Sequence, residues 1–244
     1  MSAAGGRSVQ RSFTTTIDGD FAIDGGPTTD LDALERRRQR VAPHPWTWLH
    51  QVHGADVVVV DRPGAMAGTT ADGAVTATQG AVLAVQTADC VPVMLHDPVA
   101  LVLGAAHGGW RGLDLGVVSA TVDAMVRLGA EVRRIVVEVG PHISPAAYEF
   151  APADLTRLAL RFGPDVISGT SDGRPALDLS AATRTAVSEA GIDPLGIRFD
   201  GRCTATELSE TEPTFFSWRA RQDRGRQTSA IWMPTDADRL ADVS

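Results

Sequence analysis

The sequence predicts an α+β fold rather than a doubly wound α/β fold. Most of the short apolar runs that are typical of buried strands cluster in the first two thirds of the chain. Segments with helical periodicity lie between and after these runs and do not alternate with them strictly, which argues against a sheet built from repeated βαβ units. The chain has 244 residues, of which 43% are hydrophobic, and is therefore long enough to bury a substantial core.

The strand prediction rests on short runs rich in Val, Ile and Leu. The central predicted strands cover residues 57–60, 82–85, 91–95, 101–103 and 135–137. Two later strands are predicted over residues 196–199 and 229–233. We expect the segment 163–174, which is rich in Gly, Pro, Ser, Thr and Asp, to be a loop.

Three helices are predicted from apolar residues that recur on one face. Residues 116–128, 152–162 and 180–190 show this spacing. Gly163 and Gly191 are expected to end the second and third helices, and Ser180 to cap the third. The basic run at residues 36–38 with Arg40 is interpreted as the solvated face of another helix.

Composition excludes several kinds of chemistry. All 22 basic residues are Arg, and the absence of Lys excludes a Schiff base, pyridoxal phosphate attachment and a phosphate-loop lysine. The net charge of −8 disfavours a nucleic-acid partner, because phosphate neutralisation supplies most non-specific affinity. The chain also lacks Asn, so it offers no N-glycosylation acceptor.

The expected location follows from the absence of targeting features. Residues 1–7 contain no apolar segment, so we expect no signal peptide. No apolar run approaches the roughly 18 residues that span a bilayer. Cys90 and Cys203 are too few for a disulfide framework. We therefore expect a cytoplasmic protein, without membrane partners, that is a monomer or a small homo-oligomer.

Candidate chemistry gathers at the ends of predicted strands. Cys90 joins two apolar runs, His107 ends one and is followed by two glycines, and His53 precedes the run at residue 57. These residues could form a zinc site with three protein ligands and an open fourth position, where bound water becomes a nucleophile at neutral pH. Two other interpretations stay open: Cys90 as a nucleophile with a histidine base, or Cys90 and His107 as ordinary core residues.

The remaining histidines are weaker candidates. His50 and His53 would face opposite sides of a strand, and the glycine after His53 favours His53. His44 precedes a proline and is expected to be exposed. His96 precedes Asp-Pro and is expected to lie in a turn.

Several blocks occur in one order and resemble a known family. They are 48–54 (WLHQVHG), 71–73 (ADG), 87–93 (TADCVPV), 107–112 (HGGWRG), 140–143 (GPHI) with Tyr148 and Glu149, 203–204 (CT) and 215–219 (FFSWR). This arrangement is similar to the YfiH-type purine nucleoside phosphorylase family, also called the laccase-domain family.

The resemblance implies a fold, a metal and an activity. It implies a single layered α-β-β-α domain over residues 1–244, with zinc bound by His53, Cys90 and His107. It also implies a small nucleoside as substrate together with phosphate: phosphorolysis of adenosine, inosine, guanosine and methylthioadenosine, with adenosine deamination besides. Alternatives are a cysteine or zinc hydrolase that edits cell-wall precursors, and a non-catalytic regulatory relative that keeps the metal site.

An older description of the family as multicopper laccases does not suit this sequence. Four coppers need about ten histidines, many in His-x-His pairs, since copper prefers imidazole-rich sites. The chain has six histidines and no such pair. Copper therefore remains a less favoured metal than zinc.

The N-terminal segment 1–45 is short and departs from the family. Residues 14–20 (TTTIDGD) replace a Ser-Leu-Asn-Leu-Gly-like stretch, and Arg36-Arg37 replaces an Asn-Arg pair. In relatives this region helps to form the substrate side of the pocket. His142 stands where many relatives carry Cys, so it is interpreted as a neighbour of the metal or as a surface histidine.

Further roles around the metal follow from chemistry. Arg111, at a helix start after two glycines, could bind phosphate, or could be a surface residue at a structural turn. Asp72 and Asp89 could each orient a ligating imidazole or act as an acid or base on substrate. Arg219 could close the pocket, and Phe215, Phe216 and Trp218 could stack on a purine.

Overall fold

The computed structural model describes residues 9–23 and 30–241. Residues 1–7, on which the expectation of no signal peptide rests, lie outside the described part. The strands are β1 (Gln10–Phe13), β2 (Trp46–Trp48), β3 (Val57–Val59), β4 (Gly73–Thr76), β5 (Val82–Thr87), β6 (Val91–Asp97), β7 (Val102–Gly108), β8 (Val136–Val139), β9 (Ile167–Gly169), β10 (Pro175–Leu177), β11 (Arg198–Phe199), β12 (Leu208–Ser209), β13 (Glu212–Pro213) and β14 (Gln227–Trp232). The helices are α1 (Leu31–Val41), α2 (Trp110–Asp114), α3 (Val117–Arg127), α4 (Pro152–Phe162), α5 (Leu179–Glu189), α6 (Trp218–Arg221) and α7 (Asp236–Ala241).

Two sheets form the centre of the molecule. The smaller has the order β1-β14-β5-β2, with antiparallel pairs except between β5 and β2. The larger has the order β11-β8-β6-β7-β4-β3, antiparallel in its middle and parallel at both edges. Strands β9 and β10, and β12 and β13, form separate antiparallel pairs.

The two sheets pack face to face between two layers of helix. Leu83 and Ile231 of the smaller sheet share one buried cluster with Met94 and Leu103 of the larger. The outer face of the larger sheet packs against α2, α3, α4 and α5, and the outer face of the smaller packs against α1. This is an α-β-β-α arrangement, which confirms the predicted α+β class.

Strand β5 shows how sequence produces the layers. Side chains alternate between the two faces of a strand. Val82 and Ala84 accordingly join the cluster beneath α1, whereas Leu83 and Val85 join the cluster between the sheets. Because both faces are covered, the strand is apolar in both registers rather than alternating with polar residues.

The predicted helices form with boundaries close to those expected. Helix α4 begins with Pro152, whose fixed φ suits a first helical position, and ends at Gly163 with a φ of +92°. Helix α1 carries the basic run; Arg36 and Arg40 are exposed as predicted, but the prediction of a solvated face is wrong for Arg38, whose side chain is only 11% exposed. Helix α5 corrects one prediction: its cap is Asp178, whose carboxylate accepts a hydrogen bond from the Ala181 N–H at 3.0 Å, and not Ser180. Both residues are capable caps, and the helix starts one residue earlier than predicted.

Three further predictions are wrong. His44 was expected to be exposed, but it is only 9% exposed, and its Nε2 lies 3.2 Å from the Asp238 carboxylate of α7. His96 pairs with Leu103 and Val136 inside the sheet rather than lying in a turn. The predicted loop at 163–174 contains β9, which pairs with β10.

No helix in the described part of the chain is long and apolar enough to cross a lipid bilayer.

Candidate metal centre

Three side chains from separate segments converge at the end of the larger sheet where β3 and β6 begin and β7 ends. His53 lies in the loop before β3, Cys90 links β5 to β6, and His107 is the penultimate residue of β7. The register places His107 opposite Pro92, so the strand pairing itself brings His107 beside the Cys90 turn. One ligand atom from each of the three residues lies within 4.8 Å of the other two, and among the described residues this is the one such group.

Asp72 organises the loop that carries His53. Its carboxylate accepts the backbone N–H groups of Val52 at 3.1 Å, His53 at 2.9 Å and Gly54 at 2.7 Å. Asp72 is fully buried and immediately precedes β4. A single carboxylate therefore fixes the backbone of a loop that has no regular secondary structure of its own.

The same carboxylate also sets the tautomer of His107. Burial alone would raise the pKa of Asp72, but hydrogen bonds from His107 and from the Gly54 and Val52 amides hold that pKa below its ordinary value. An ionised carboxylate can only accept, so the His107 Nδ1–H donates to Asp72 Oδ1 at 2.8 Å. The Nε2 atom of His107 is left for a ligand, which is how imidazoles are oriented at metal sites.

The electrostatics of the three residues allow two kinds of chemistry. Burial opposes protonation of His107, but the Cys90 sulfur and Asp72 raise its pKa to about 9. Burial, and then the neighbouring His107, lower the pKa of His53. A metal ion would replace the proton on His107 Nε2. Without one, a protonated imidazole beside the Cys90 sulfur is an arrangement that activates a cysteine nucleophile.

Gly109 leaves the space that the His53 ring occupies beside Cys90. A Cβ at this position would collide with His53 Nδ1 and would lie 3.4 Å from Cys90 Sγ. His53 itself has a φ of +59°, an uncommon conformation that the Asp72 hydrogen bonds maintain. Two imidazoles and a thiol are the donors that zinc prefers, and three protein ligands leave a position open. The residues present therefore fit a catalytic zinc ion.

Asp89 has a different role from Asp72. Its carboxylate accepts from the Thr204 hydroxyl at 2.7 Å and from the Arg219 backbone N–H at 2.6 Å. It therefore fastens the segment before Cys90 to the C-terminal part of the chain, and it makes no hydrogen bond to an imidazole among the described residues. Of the two aspartates considered from sequence, Asp72 alone orients a histidine.

A cavity of about 400 Å³ opens on one side of the three residues, and we call it the cation-lined cavity. Its wall consists of His53, Ala88, Asp89, Cys90, Trp110, Arg111, Tyr148, Trp218, Arg219 and Arg226. Arg111 lies at the start of α2, as expected, with its guanidinium 4.7 Å from the Trp110 ring centre. Arg219 lies over the Tyr148 ring at 4.7 Å and donates to the Glu149 carbonyl. Three arginines against the one carboxylate of Asp89 give this wall a net positive charge, which favours an anionic ligand.

A second, smaller cavity of about 170 Å³ adjoins the first, and we call it the amide-lined cavity. Its wall consists of Ile23, Leu49, His50, Gln51, His53, Gln86, His107 and Arg226. His53 and Arg226 belong to both walls, so the three converging residues lie between the cavities. The divergent N-terminal segment reaches the site here, through Ile23 and through Asp20, which accepts the Arg226 backbone N–H at 2.9 Å.

Some expected site residues lie elsewhere. His142 is buried, with its ring nitrogens 2.9 Å from the Gly140 carbonyl and 2.8 Å from the Ser180 hydroxyl, so it is neither a metal neighbour nor a surface residue. Phe215 is fully buried, and Phe216 packs against Gly225; neither lines the two cavities. Of the three aromatic residues predicted to face a purine, Trp218 alone reaches a cavity.

Sequence reasoning missed Arg226, Tyr148 and Gln86 as parts of the site. Arg226 comes from a stretch without a motif, and nothing in its neighbours indicates that the chain returns to the metal centre. Gln86 offered a usable signal, since it is a polar residue at the end of the otherwise apolar run 82–85.

Comparisons with known proteins identify the family of this chain. A family described as multi-copper polyphenol oxidoreductase laccase matches residues 30–234. The chain belongs to this family. The solved YlmD of Geobacillus stearothermophilus superimposes with a TM-score of 0.80 at 29% identity, covering 95% of this chain and 94% of that one. The YfiH protein of Bacillus licheniformis gives 0.78 at 26% identity, with 92% of both chains covered.

Relatives in this family carry a functional name. A purine nucleoside phosphorylase of Streptomyces coelicolor is 36% identical over 230 residues, covering 94% of this chain and 92% of the relative. A purine nucleoside phosphorylase of Deinococcus radiodurans is 36% identical over 241 residues, covering 92% and 88%.

Proposed function

We propose that this chain is a zinc-dependent purine nucleoside phosphorylase that acts on adenosine, inosine, guanosine and methylthioadenosine. The observation that carries the proposal is the convergence of His53, Cys90 and His107 beside a cavity lined by three arginines. The relatives named purine nucleoside phosphorylase, similar over nearly the whole chain, support it. His107 lies in the larger sheet, and His53 and Cys90 lie in segments that link the smaller sheet to the larger one, which supports one catalytic domain over residues 1–244.

The metal-binding residues and the arginines of the cation-lined cavity have different roles. His53, Cys90 and His107 would hold the metal, which supplies Lewis acidity toward an oxygen atom. Arg111, Arg219 and Arg226 bind phosphate in the cation-lined cavity, because guanidinium groups pair with phosphate oxygens. The proposed reaction breaks the bond between C1′ of the ribose and N9 of the purine and forms a bond from C1′ to an oxygen of hydrogen phosphate. The proton of the hydrogen phosphate passes to the departing purine.

Tyr148 supplies a neutral donor in the same cavity. Burial raises the pKa of its phenol, so the hydroxyl keeps its proton at neutral pH. A neutral phenol can donate a hydrogen bond to phosphate without adding a negative charge beside it. The two free thiols, Cys90 and Cys203, suit a reducing compartment, so we propose a cytoplasmic location.

The test is a chromatographic assay of adenosine, inosine, guanosine and methylthioadenosine, each with and without phosphate, on protein whose metal content has been measured. Free base that forms only with phosphate, together with about one zinc per chain, is the expected result. Inosine formed from adenosine without phosphate would reveal deamination. If no nucleoside is converted while zinc is bound, the proposal fails and a regulatory relative is the better interpretation.

A second candidate function rests on the closeness of the Cys90 thiol to the His107 imidazole. A thiol beside a protonated imidazole suits a cysteine hydrolase acting on amide-bearing cell-wall precursors. Metal-free protein that cleaves such amides would favour this candidate and exclude the metal-dependent one.

Substitution of the two cysteines separates a site role from a packing role. Cys90→Ala should abolish metal binding and activity with little loss of stability, because the half-buried thiol borders a cavity. Cys203→Ala should cost on the order of 1 kcal/mol of stability and retain activity, since its sulfur accepts from Ser144 within the core. Equal losses of activity in both variants, measured beside thermal melts, would contradict the assignment.

A further inference from the structure

One buried side chain in the wall of the amide-lined cavity, that of Gln86, has a polar atom without a hydrogen-bond partner among the described residues. Gln86 is 7% exposed, and its Oε1 atom is shielded from solvent and has no hydrogen-bond partner among the residues that the structure describes. The Gln86 backbone, in contrast, is fully engaged with the side chain of Gln51: the Gln86 N–H donates to Gln51 Oε1 at 2.8 Å, and Gln51 Nε2 donates to the Gln86 carbonyl at 2.7 Å. The side-chain amide of Gln86 is therefore not what holds this strand end in place.

A nearby glutamine shows what a structural role looks like. Gln227 of β14 is 2% exposed and lies opposite Thr87, one rung from Gln86. Its amide uses both ends on the backbone of Phe216, accepting from the N–H at 2.9 Å and donating to the carbonyl at 3.3 Å. Buried polar groups in native proteins are almost always paired in this way. An unpaired amide in a residue that lines a cavity is free to pair with a ligand once the side chain turns toward that cavity.

The other residues with such unpaired buried atoms, within the described part of the chain, do not line a cavity. Arg38 lies between the rings of Trp46 and Trp48, at 5.9 and 5.5 Å from their centres, where aromatic faces compensate a cation. Thr87 is absent from both cavity walls. Gln86 is thus distinguished by its place beside His53 and His107.

We propose that Gln86 is a specificity-determining residue whose amide pairs with the hydrogen-bonding edge of the purine ring; this inference rests on the proposed function. A carboxamide presents an acceptor and a donor side by side. Adenine offers an N–H donor at position 6 next to a ring-nitrogen acceptor, and hypoxanthine offers the N1 donor next to the O6 acceptor. If the Gln86 amide rotates by about 180°, its acceptor and donor exchange places, so the same side chain can pair with either base. This accounts for one site that accepts both.

The charges of the two cavities favour this division. Gln51, Gln86 and Leu49 form an uncharged part of the wall of the smaller cavity, and Arg226, which belongs to both walls, is its one guanidinium. Phosphate is matched by Arg111 and Arg219 in the larger cavity. The competing location for the base is the face of Trp218, which is 54% exposed in the larger cavity. Stacking on an indole does not distinguish the substituent at position 6, so the two locations make different predictions.

The experiment compares three nucleosides on the protein as purified and on Gln86→Met, which keeps side-chain length and leaves the Gln51 contacts to the backbone intact. Affinities of adenosine, inosine and purine riboside, which lacks a group at position 6, are measured by calorimetry, and phosphorolysis is measured alongside. The wild type should prefer adenosine and inosine over purine riboside by about tenfold. Gln86→Met should lose that preference, bind purine riboside unchanged and keep the same KM for phosphate.

Stability and metal content provide the controls. Gln86→Met should melt no lower than the wild type, because it removes an unpaired buried group, and should retain the same zinc content. Gln227→Met is the matched control: it should lower the melting temperature and leave the nucleoside preference unchanged.

Each other outcome overturns the inference. If Gln86→Met weakens all three nucleosides equally, its amide contacts the ribose or supports the site generally. If the preference survives in Gln86→Met and falls in Trp218→Ala, the base binds in the larger cavity. If the wild type phosphorolyses nucleosides without any preference at position 6, only the Gln86 inference fails. If the wild type neither binds nor converts nucleosides, both the proposed function and the Gln86 inference fail.

Discussion

Gly109, which lies beside the candidate metal site, has no side chain, and this leaves room for the His53 ring next to Cys90. Gly109 has an ordinary negative φ, so backbone conformation does not require glycine there. Its requirement is steric, because any Cβ would occupy the position of the His53 ring. The site thus explains the second glycine after His107, whereas a Cβ at the first, Gly108, would lie 2.9 Å from the Val91 carbonyl oxygen of the neighbouring strand.

Gly109→Ala should therefore impair metal binding without unfolding the protein. Displacement of the His53 imidazole by about 1 Å should lower activity by about 100-fold. Gly196→Ala is the control, because a Cβ there meets no atom within 4 Å. Zinc content by mass spectrometry and activity of both variants check this. Full zinc occupancy in Gly109→Ala would show that His53 is not a ligand.

The two aspartates beside the site should respond differently to the same substitution. Asp72→Asn removes the anion that orients His107 and the His53 loop, so zinc affinity should fall by about 10- to 100-fold. Asp89→Asn should retain zinc, because Asp89 contacts Thr204 and Arg219 instead. Competition titrations with a zinc chelator measure both affinities. Equal losses would mean that Asp72 acts only through the fold.

At the residue scale, the sequence indicated the converging residues but not what holds them. His53, Cys90 and His107 stand out because they lie at strand ends next to glycines. That Asp72 rather than Asp89 orients an imidazole depends on the β4–β7 pairing, which brings residues 73 and 106 together across the sheet. A single sequence contains no information on that register, so both aspartates were equal candidates.

At the scale of elements, Asp97 joins the end of β6 to the segment before β8. Its carboxylate accepts from the Val99 and Ala100 amides of the β6–β7 turn, from the Glu131 amide and from the Arg134 side chain. The residue is fully buried. Burial would raise the pKa of Asp97, but these donors, with Arg134 first, outweigh it and hold the pKa far below its ordinary value.

This contact predicts a pH-dependent loss of stability. A carboxylate whose pKa is lowered on folding stabilises the protein above its unfolded pKa of about 3.9, and this contribution is lost as pH falls through the folded pKa. Asp97→Asn should cost about 2 kcal/mol at pH 7. The difference from the wild type should shrink below about pH 4. Urea melts of both proteins from pH 7 to pH 3 test this, and a gap independent of pH would rule out the ionic contribution.

Elements with strong periodicity were predictable, and the two short edge strands of the smaller sheet were not. Helix α4 matches its prediction because an N-terminal proline, an apolar face and a terminal glycine agree on its limits. Strands β1 and β2 have four and three residues, and β1 pairs with β14 more than 200 positions along the chain. Their formation depends on the long-range partner, which local composition does not reveal.

At the scale of the whole molecule, the candidate metal site is formed by segments that are distant in sequence. His53 precedes the edge strand β3 of the larger sheet, Cys90 connects the smaller sheet to the larger one, and His107 belongs to the centre of the larger one. A ligand that contacts all three restrains the relative position of the two sheets at this end. The layered order itself could be anticipated only from the similarity of motifs, because apolar periodicity does not specify how two sheets stack.

Metal binding should consequently stabilise the folded protein. A ligand that binds the folded state alone adds about 2.7 kcal/mol at a free concentration about 100 times its Kd. For a chain of this size each kcal/mol raises the melting temperature by roughly 2–4 °C, so zinc added to chelator-treated protein should raise it by roughly 5–10 °C. Differential scanning calorimetry of wild type and Cys90→Ala, with and without zinc, measures the shift. The variant should show almost none, because two imidazoles alone bind zinc weakly. A comparable shift in both proteins would locate the stabilising zinc outside the site formed by His53, Cys90 and His107.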